Sequence, residues 1–251
     1  MPVFWYSFAV LIIAAAAIYF LLFFPKFQVQ NINVAGNQKI NTEEVKNIIG
    51  NLATKKFIEL GSWNISSKSI FLVDTGDIQN QIASSYPIIK KVTINKKLPQ
   101  DLNAQIEERS QFATFCQSDK CFVIDEAGVI FEDSPNNPEN AFIVRQNQDI
   151  NELFLGERVV QENLMTTISE IEKNLKDNFQ ITLTEALIST PIRLDVKTGE
   201  NWQIYFDIDE NSDIGLQLTK LNLLLKDELS TELRQKLEYI DLRFKDRAYY
   251  K

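Results

Sequence analysis

Apolar residues gather first in one unbroken block. From Val3 to Phe24 the chain reads VFWYSFAVLIIAAAAIYFLLFF, 22 residues without a charge, followed at once by Pro25 and Lys26. At a rise of ~1.5 Å per residue, a helix of this length spans the ~30 Å hydrocarbon core of a bilayer. Aromatic residues sit toward both ends, Phe4, Trp5 and Tyr6 against Tyr19, Phe20, Phe23 and Phe24, where an interfacial belt would place them. The block predicts a membrane-spanning helix in preference to a cleaved signal peptide or a buried core helix. No basic region precedes it, and the small residues Ala14 to Ala17 lie mid-run with bulky apolar residues still to come, a poor cleavage site. Lys26 on the C-terminal flank would weakly favour that side as cytoplasmic. The 225 residues after it translocate largely regardless of charge, so the rule has little force there, and a basic leader upstream of Met1 would restore the usual asymmetry.

Beyond Lys26 the pattern turns to alternation and then to helical spacing. Phe27, Val29, Ile32 and Val34 read as a strand ending in a turn at Gly36 and Asn37. Asn41 with Glu44 has the form of a capping box ahead of Val45, Ile48, Ile49 and Leu52, which predicts a helix from Thr42 to Ile49 stopping near Gly50 and Asn51. Residues 51 to 68 hold glycine, serine and asparagine without a sustained period and read as a long surface loop. The short run Ser69 to Asp74 leads into a second helix, capped by Asp74 or Thr75, with Ile78 and Ile82 on one face and an end at Pro87. Strands follow over Ile89 to Lys97 and Leu102 to Arg109, joined by a turn at Leu98 to Asp101. The order is strand, helix, helix, strand, strand.

This segment resembles a POTRA domain, specifically that of the bacterial cell-division proteins FtsQ and DivIB. The resemblance rests on Asn31-Ile-Asn-Val-Ala-Gly36-Asn37, Ser69-Ile-Phe-Leu-Val-Asp74, Tyr86-Pro-Ile-Ile-Lys-Lys-Val92, Lys97-Leu-Pro-Gln-Asp-Leu102 and Ile106-Glu-Glu-Arg109, in order and directly after one apolar run.

The rest reads as a mixed α/β domain on a mostly antiparallel sheet, so the fold class is α+β with an N-terminal transmembrane helix. Strands over Phe112 to Cys116, Cys121 to Ile124 and Val129 to Phe131 form a meander. A register that sets Cys116 opposite Cys121 is compatible with a cross-strand disulfide outside the cytoplasm; two reduced cysteines in a small apolar cluster are the alternative. After a polar loop at Ser134 to Asn140, Glu157 to Asn178 carries Val160, Leu164, Ile168, Ile171 and Leu175 on one face and reads as an amphipathic helix on a sheet. Strands are expected over Phe179 to Leu187, Ile192 to Lys197 and Trp202 to Ile208, the last two as a hairpin with Trp202, Ile204, Phe206 and Ile208 inward. A helix over Asp213 to Leu229 would bury Leu218, Leu221 and Leu225. Finally Ile240, Leu242 and Phe244 alternate with Asp241, Arg243 and Lys245 as a half-buried last strand.

That ending, Tyr239-Ile-Asp-Leu-Arg-Phe244, is also similar to the last strand of FtsQ. The resemblance therefore divides the chain into a start and membrane helix (1–26), a POTRA domain (27–109) and a β domain (110–251). It further implies a scaffold in the cytoplasmic membrane at the division septum, N-terminus in the cytoplasm, that binds FtsB-like and, through them, FtsL-like proteins by adding a partner strand to its last strand. Carried over by motif position, Tyr239, Asp241, Arg243, Phe244, Lys245, Asp246 and Arg247 would line that contact; the alternative for Phe244 is a core position in register with Ile240 and Leu242.

Composition narrows the chemistry. Among 251 residues there is no histidine, which removes Ser-His-Asp and Cys-His nucleophilic systems and His-based zinc hydrolases. Two cysteines cannot build a thiolate zinc or iron-sulfur site. A net charge of -8 argues against a nucleic-acid partner. Acidic clusters at Glu107-Glu108, Asp125-Glu126, Glu132-Asp133 and Asp207 to Asp213 lack a setting that separates a raised-pKa acid from an ionised partner, and the last lacks the glycine and glutamate of a calcium loop. No nucleotide-binding glycine motif occurs. A non-enzymatic protein without cofactor, metal or small-molecule substrate is expected. Rival readings are a POTRA-bearing envelope assembly or secretion factor and a membrane-anchored cell-wall hydrolase.

Overall fold

A computed structural model describes residues 2–60, 63–134, 142–147 and 152–251. The chain divides into two compact units, Met1–Arg109 and Ser110–Lys251. The charge-free block forms α1 (Pro2–Phe23), and its described side chains are exposed along almost its whole length. A helix that is apolar all round and covered by no protein is long and apolar enough to cross a membrane.

The first unit continues with β1 (Asn31–Ala35), α2 (Thr42–Leu52), β2 (Lys55–Leu60), β3 (Trp63–Ser67), α3 (Thr75–Ser85), β4 (Ile89–Lys97) and β5 (Asp101–Glu108). The sheet order is β1-β5-β4, with β1 parallel and β4 antiparallel to β5. Val45, Ile49, Ile78 and Ile82 from the two helices pack on Ile94, Leu102, Ala104 and Ile106 of the sheet in one buried cluster. The strand-helix-helix-strand-strand order read from the sequence is thus present, with two local differences. The first is α2, which runs through Gly50 to Leu52 because Ile49 and Ala53 are both needed in the core, and the amide of Ala53 still bonds Ile49 O at 2.8 Å. Asn41 caps this helix through the amide of Glu43, so the reciprocal arm expected from Glu44 is not what closes it. The second difference is the expected loop at 51–68, which contains the antiparallel hairpin β2–β3; a register shift between Lys56 and Ile58 breaks the alternation that would have revealed it. Ser69 to Asp74 forms no strand beyond a single bridge from Ser69 to Gln28, but carries Ile70 and Val73 into the core. Gly36 is obligatory where β1 ends: its φ is +88°, and a Cβ there would lie 2.1 Å from the Ile106 carbonyl oxygen.

The second unit is built on a nine-stranded sheet. Its strands are β6 (Ala113–Gln117), β7 (Lys120–Ile124), β8 (Ile130–Ser134), β9 (Ile143–Gln146), β10 (Leu183–Thr190), β11 (Arg193–Thr198), β12 (Gln203–Asp207), β13 (Tyr239–Asp241) and β14 (Tyr249–Tyr250). The spatial order is β14-β13-β12-β11-β10-β9-β6-β7-β8. Most neighbours are antiparallel, but β9 is parallel to both β6 and β10, and β13 is parallel to β12. Cys116 faces Cys121 across β6 and β7, and a disulfide joins them. Of the polar loop expected at 134–140, residues 135–140 lie outside the described residues.

Four expectations shift here. Strand β9 was not anticipated, because four residues beside a polar stretch carry too little periodicity; Val144 is fully buried and splices the meander to the second half of the sheet. Helix α4 (Glu162–Phe179) begins five residues later than expected, since the Gly156 amide bonds the Ile130 carbonyl and the Val159 amide bonds that of Gly128, which holds the preceding chain as a loop that delivers Val160 to the core. Phe179 ends that helix, and a left-handed Gln180 turns the chain, so β10 begins only at Leu183. The last predicted helix is divided: α5 (Ile214–Leu223) passes into a π turn over Leu224–Glu228, followed by α6 (Thr231–Arg234), with Leu221 and Leu225 buried and Leu218 only partly so.

Met165, Ile168, Ile171 and Leu175 of α4, with Leu221 and Leu225, cover one face of the sheet, where Leu194, Val196, Trp202, Ile204 and Phe206 are fully buried. Ile208 is partly buried at the rim. Replacing Trp202 by Ala should lower the stability of this unit by about 3–5 kcal/mol, and urea titration of the full chain in detergent measures it. Phe244→Ala, at a side chain that is 47% exposed, should stay within about 0.5 kcal/mol of the parent in the same titration.

Candidate partner-binding edge

The pleat that buries Ile204 and Phe206 sends their neighbours to the opposite face. Register then lines up one row on each side of the sheet. The inner row is Val196, Ile204, Ile240 and Tyr250; the outer row is Asp195, Tyr205, Asp241 and Tyr249. The outer row is a connected band of charge and aromatic surface. Ser189 Oγ and Arg193 Nε each donate to Asp195 at 2.6 Å. The Arg193 guanidinium lies 4.7 Å from the centre of the Tyr205 ring and that of Arg243 lies 5.6 Å from it. Tyr205 also stacks on Tyr239 with centroids 5.5 Å apart, a diagonal cross-strand pair.

The conformation of the last strands follows from Asp241. This carboxylate is 7% exposed and accepts two hydrogen bonds from the Arg243 guanidinium, Nε at 2.9 Å and Nη2 at 2.6 Å, plus the Arg243 amide at 3.2 Å. Burial pushes its pKa up, but the side-chain and backbone hydrogen bonds from Arg243, with the charges of Arg243 and Arg193, outweigh it and hold the carboxyl below its ordinary value. The same pair raises the Arg243 pKa. The turn made by Asp241 and the Arg243 amide ends β13 after three residues. Lys220, at the end of α5, then grips the departing chain by donating to the carbonyls of Leu242 at 3.1 Å and Phe244 at 2.6 Å. Burial of its ammonium lowers the Lys220 pKa against the opposing pull of Asp246 and Asp241.

These bonds correct the expected last strand. Alternation does not continue from Ile240 to Phe244: Leu242 is fully buried, whereas Phe244 leaves the sheet, half exposed, and meets Tyr249 edge to face at 5.0 Å. Lys245, Asp246 and Arg247 form an exposed turn. The chain then returns as β14, so β13 is an interior strand and β14 is the border. Tyr239 and Lys251 exchange both backbone hydrogen bonds, at 3.2 and 3.3 Å. In an antiparallel ladder the next pair, Ile240 with Tyr250, is then the non-bonded one, which points the N–H and C=O of Tyr250 away from β13, out of the sheet.

All seven residues carried over from the motif lie on β13 or the turn after it. Tyr239, Asp241 and Arg243 belong to the outer band, while Phe244 to Arg247 stand beside the border strand. The sequence reading missed Tyr205, Arg193 and Lys220, and also Tyr249 and Tyr250. A lysine in the last turn of an amphipathic helix and an aromatic pair just after a polar turn were the available signals. An open groove of about 410 Å³ runs between α5 and the turn, lined by Asp207, Asp213, Leu216, Lys220, Arg243 and Phe244. Its acidic residues are engaged locally: Asp207 and Asp209 accept amides of their own loop, and Asp213 caps α5. Among the described residues no group of three or more Asp, Glu, Cys or His side chains is placed to hold a metal ion.

A mixed parallel and antiparallel sheet with one helix-covered face and an open border stands in a chain that also carries a helix long and apolar enough to cross a membrane. The family model described as "POTRA domain, FtsQ-type" matches residues 59–109, and that described as "Cell division protein FtsQ/DivIB, C-terminal" matches residues 115–243. Cell division protein DivIB of Clostridium tetani is 25% identical over 228 residues, covering 88% of this chain and 78% of that protein. DivIB of Clostridium acetobutylicum is 26% identical over 238 residues, covering 90% of this chain and 83% of that protein. The chain belongs to the FtsQ/DivIB family of cell division proteins.

The depressed pKa of Asp241 has a definite pH consequence. Its stabilising contribution is complete above the unfolded carboxyl pKa of about 4 and is lost as the pH falls through the lower folded-state value. Asp241→Asn should cost about 1–3 kcal/mol at pH 7 and should flatten the acid limb of stability against pH, read by urea titrations at a series of pH values.

Proposed function

We propose that this chain is a single-pass scaffold of the division machinery, with its N-terminus in the cytoplasm and residues 27–109 (the POTRA domain) and 110–251 (the β domain) outside it. It works by recruitment, without catalysis: an FtsB-like protein adds a strand along β14, and an FtsL-like protein joins through it. The observation that carries this reading is the outward-facing backbone of Tyr250, flanked by exposed Phe244, Tyr249 and Tyr250. Unpaired edge groups supply register to an incoming strand, and neighbouring side chains choose it. Lys245 and Arg247 beside the border favour acidic positions next to the partner's strand. The contact is moved outward from the motif-based expectation, because β13 already has neighbours on both sides.

The test is the affinity of the full chain in nanodiscs for a soluble FtsB-like segment. Tyr250→Pro deletes the outward donor, a change an edge strand tolerates where its N–H faces solvent. That variant and Arg243→Glu should each bind at least tenfold more weakly, about 1.4 kcal/mol. Unchanged affinity in both would overturn the assigned edge. A fluorescent fusion of the chain should concentrate at midcell, and uniform membrane fluorescence would contradict the septal role.

A further inference from the structure

The final carbonyls of a helix have no partners within it, and inside a bilayer water does not replace them. At the end of α1 the first unit supplies the partners. Ser69 Oγ donates to Leu21 O at 2.8 Å, Gln28 Nε2 donates to Leu22 O at 2.8 Å, and Ser67 Oγ donates to the same Leu22 oxygen. Both serines are buried. After Pro25 the chain folds back on this junction: Gln30 Nε2 donates to Pro25 O at 3.4 Å, the Val29 amide to Lys68 O at 2.9 Å, the Ile70 amide to Phe27 O at 2.8 Å, and the Gln30 amide to Gln100 O at 3.0 Å. Three pieces of the unit therefore meet at the helix end: the base of the β2–β3 hairpin, the run after it, and the β4–β5 turn.

The surface of those pieces is apolar and basic. Phe57 lies 6.1 Å from Phe23 and Phe27 lies 5.9 Å from Phe20, so two aromatic rings meet the last turns of α1, and Phe71 lies 5.3 Å from Phe27 behind them. Yet Phe57 and Phe71 are each 46% exposed, Ile65 is 40% exposed and Leu98, in the β4–β5 turn, 62%. Exposed Lys55, Lys68 and Lys97 lie in or next to the same segments, and exposed Lys26 follows closely on α1. The charge balance agrees: Met1–Arg109 holds 11 basic and 8 acidic side chains, against 15 and 26 in Ser110–Lys251. Single exposed apolar residues need no explanation, but a cluster of them with lysines at the exit of a membrane helix is the composition of an interfacial surface.

We propose that this end of the first unit, comprising the β2–β3 hairpin, Phe71 and the Leu98 turn, lies in the headgroup layer of the bilayer that α1 crosses, with its lysines against anionic lipid phosphates. The helix-end hydrogen bonds and the lipid contact together fix the attitude of the unit on the membrane. The inference rests on α1 crossing the bilayer. It is tested on the full chain in phosphatidylcholine nanodiscs with and without phosphatidylglycerol, carrying a nitroxide on one added cysteine at a time: Ala15→Cys, Ile65→Cys, Leu98→Cys or Lys173→Cys. With phosphatidylglycerol, the label at 15 should read as hydrocarbon core, and those at 65 and 98 should collide with a water-soluble nickel chelate at least about threefold less often than the label at exposed position 173. Removing the anionic lipid should relax that protection. Labels at 65 and 98 as accessible as that at 173, with 15 still in hydrocarbon, would overturn the inference and leave the membrane crossing intact. An aqueous reading at 15 would overturn both, and equal protection in the purely zwitterionic discs would overturn the role given to the lysines.

Discussion

The pleat of β12 fixes both what the second unit buries and what it offers. Once Trp202, Ile204 and Phe206 are committed to the helix-covered side, Gln203, Tyr205 and Asp207 must stand on the other, and the register with β11 and β13 carries the same division outward. A slip of one residue would exchange the apolar row of Val196, Ile204 and Ile240 for the charged row of Asp195, Tyr205 and Asp241. The hydrophobic burial that stabilises the unit therefore also specifies the outer band, without any separate device.

The border of that sheet depends on a more local balance. A buried carboxylate alone is costly, and Asp241 is tolerable only because Arg243 answers it with three hydrogen bonds. The pair ends β13, Lys220 holds the released carbonyls, and β14 comes to lie where its Tyr250 backbone faces outward. In the first unit side-chain donors again complete a backbone end, with Ser67, Ser69 and Gln28 closing α1.

Long periodic elements were legible in the sequence: the apolar helix, the strand-helix-helix-strand-strand order, α4 and the hairpin β11–β12. What escaped had a physical reason in each case. The bulge after Lys56 concealed β2–β3, and β9 is too short to show a period. The end of β13 is set by a side-chain turn at Asp241 and by Lys220, 21 positions earlier in the chain, which no local pattern records. The motif placed Tyr239 to Arg247 together because they are neighbours in sequence. Tyr205, Arg193 and Lys220 join them only through sheet register and helix packing.

The claim that binding is strand addition along β14 is tested most directly by amide hydrogen exchange of the full chain with and without a soluble FtsB-like segment. The outward amide of Tyr250, unprotected by β13 in the free chain, should become strongly protected in the complex, with little change at Lys251, whose amide already bonds Tyr239 O. Protection confined to other strands, such as the opposite border β8, with Tyr250 exchanging at its free rate, would contradict the account.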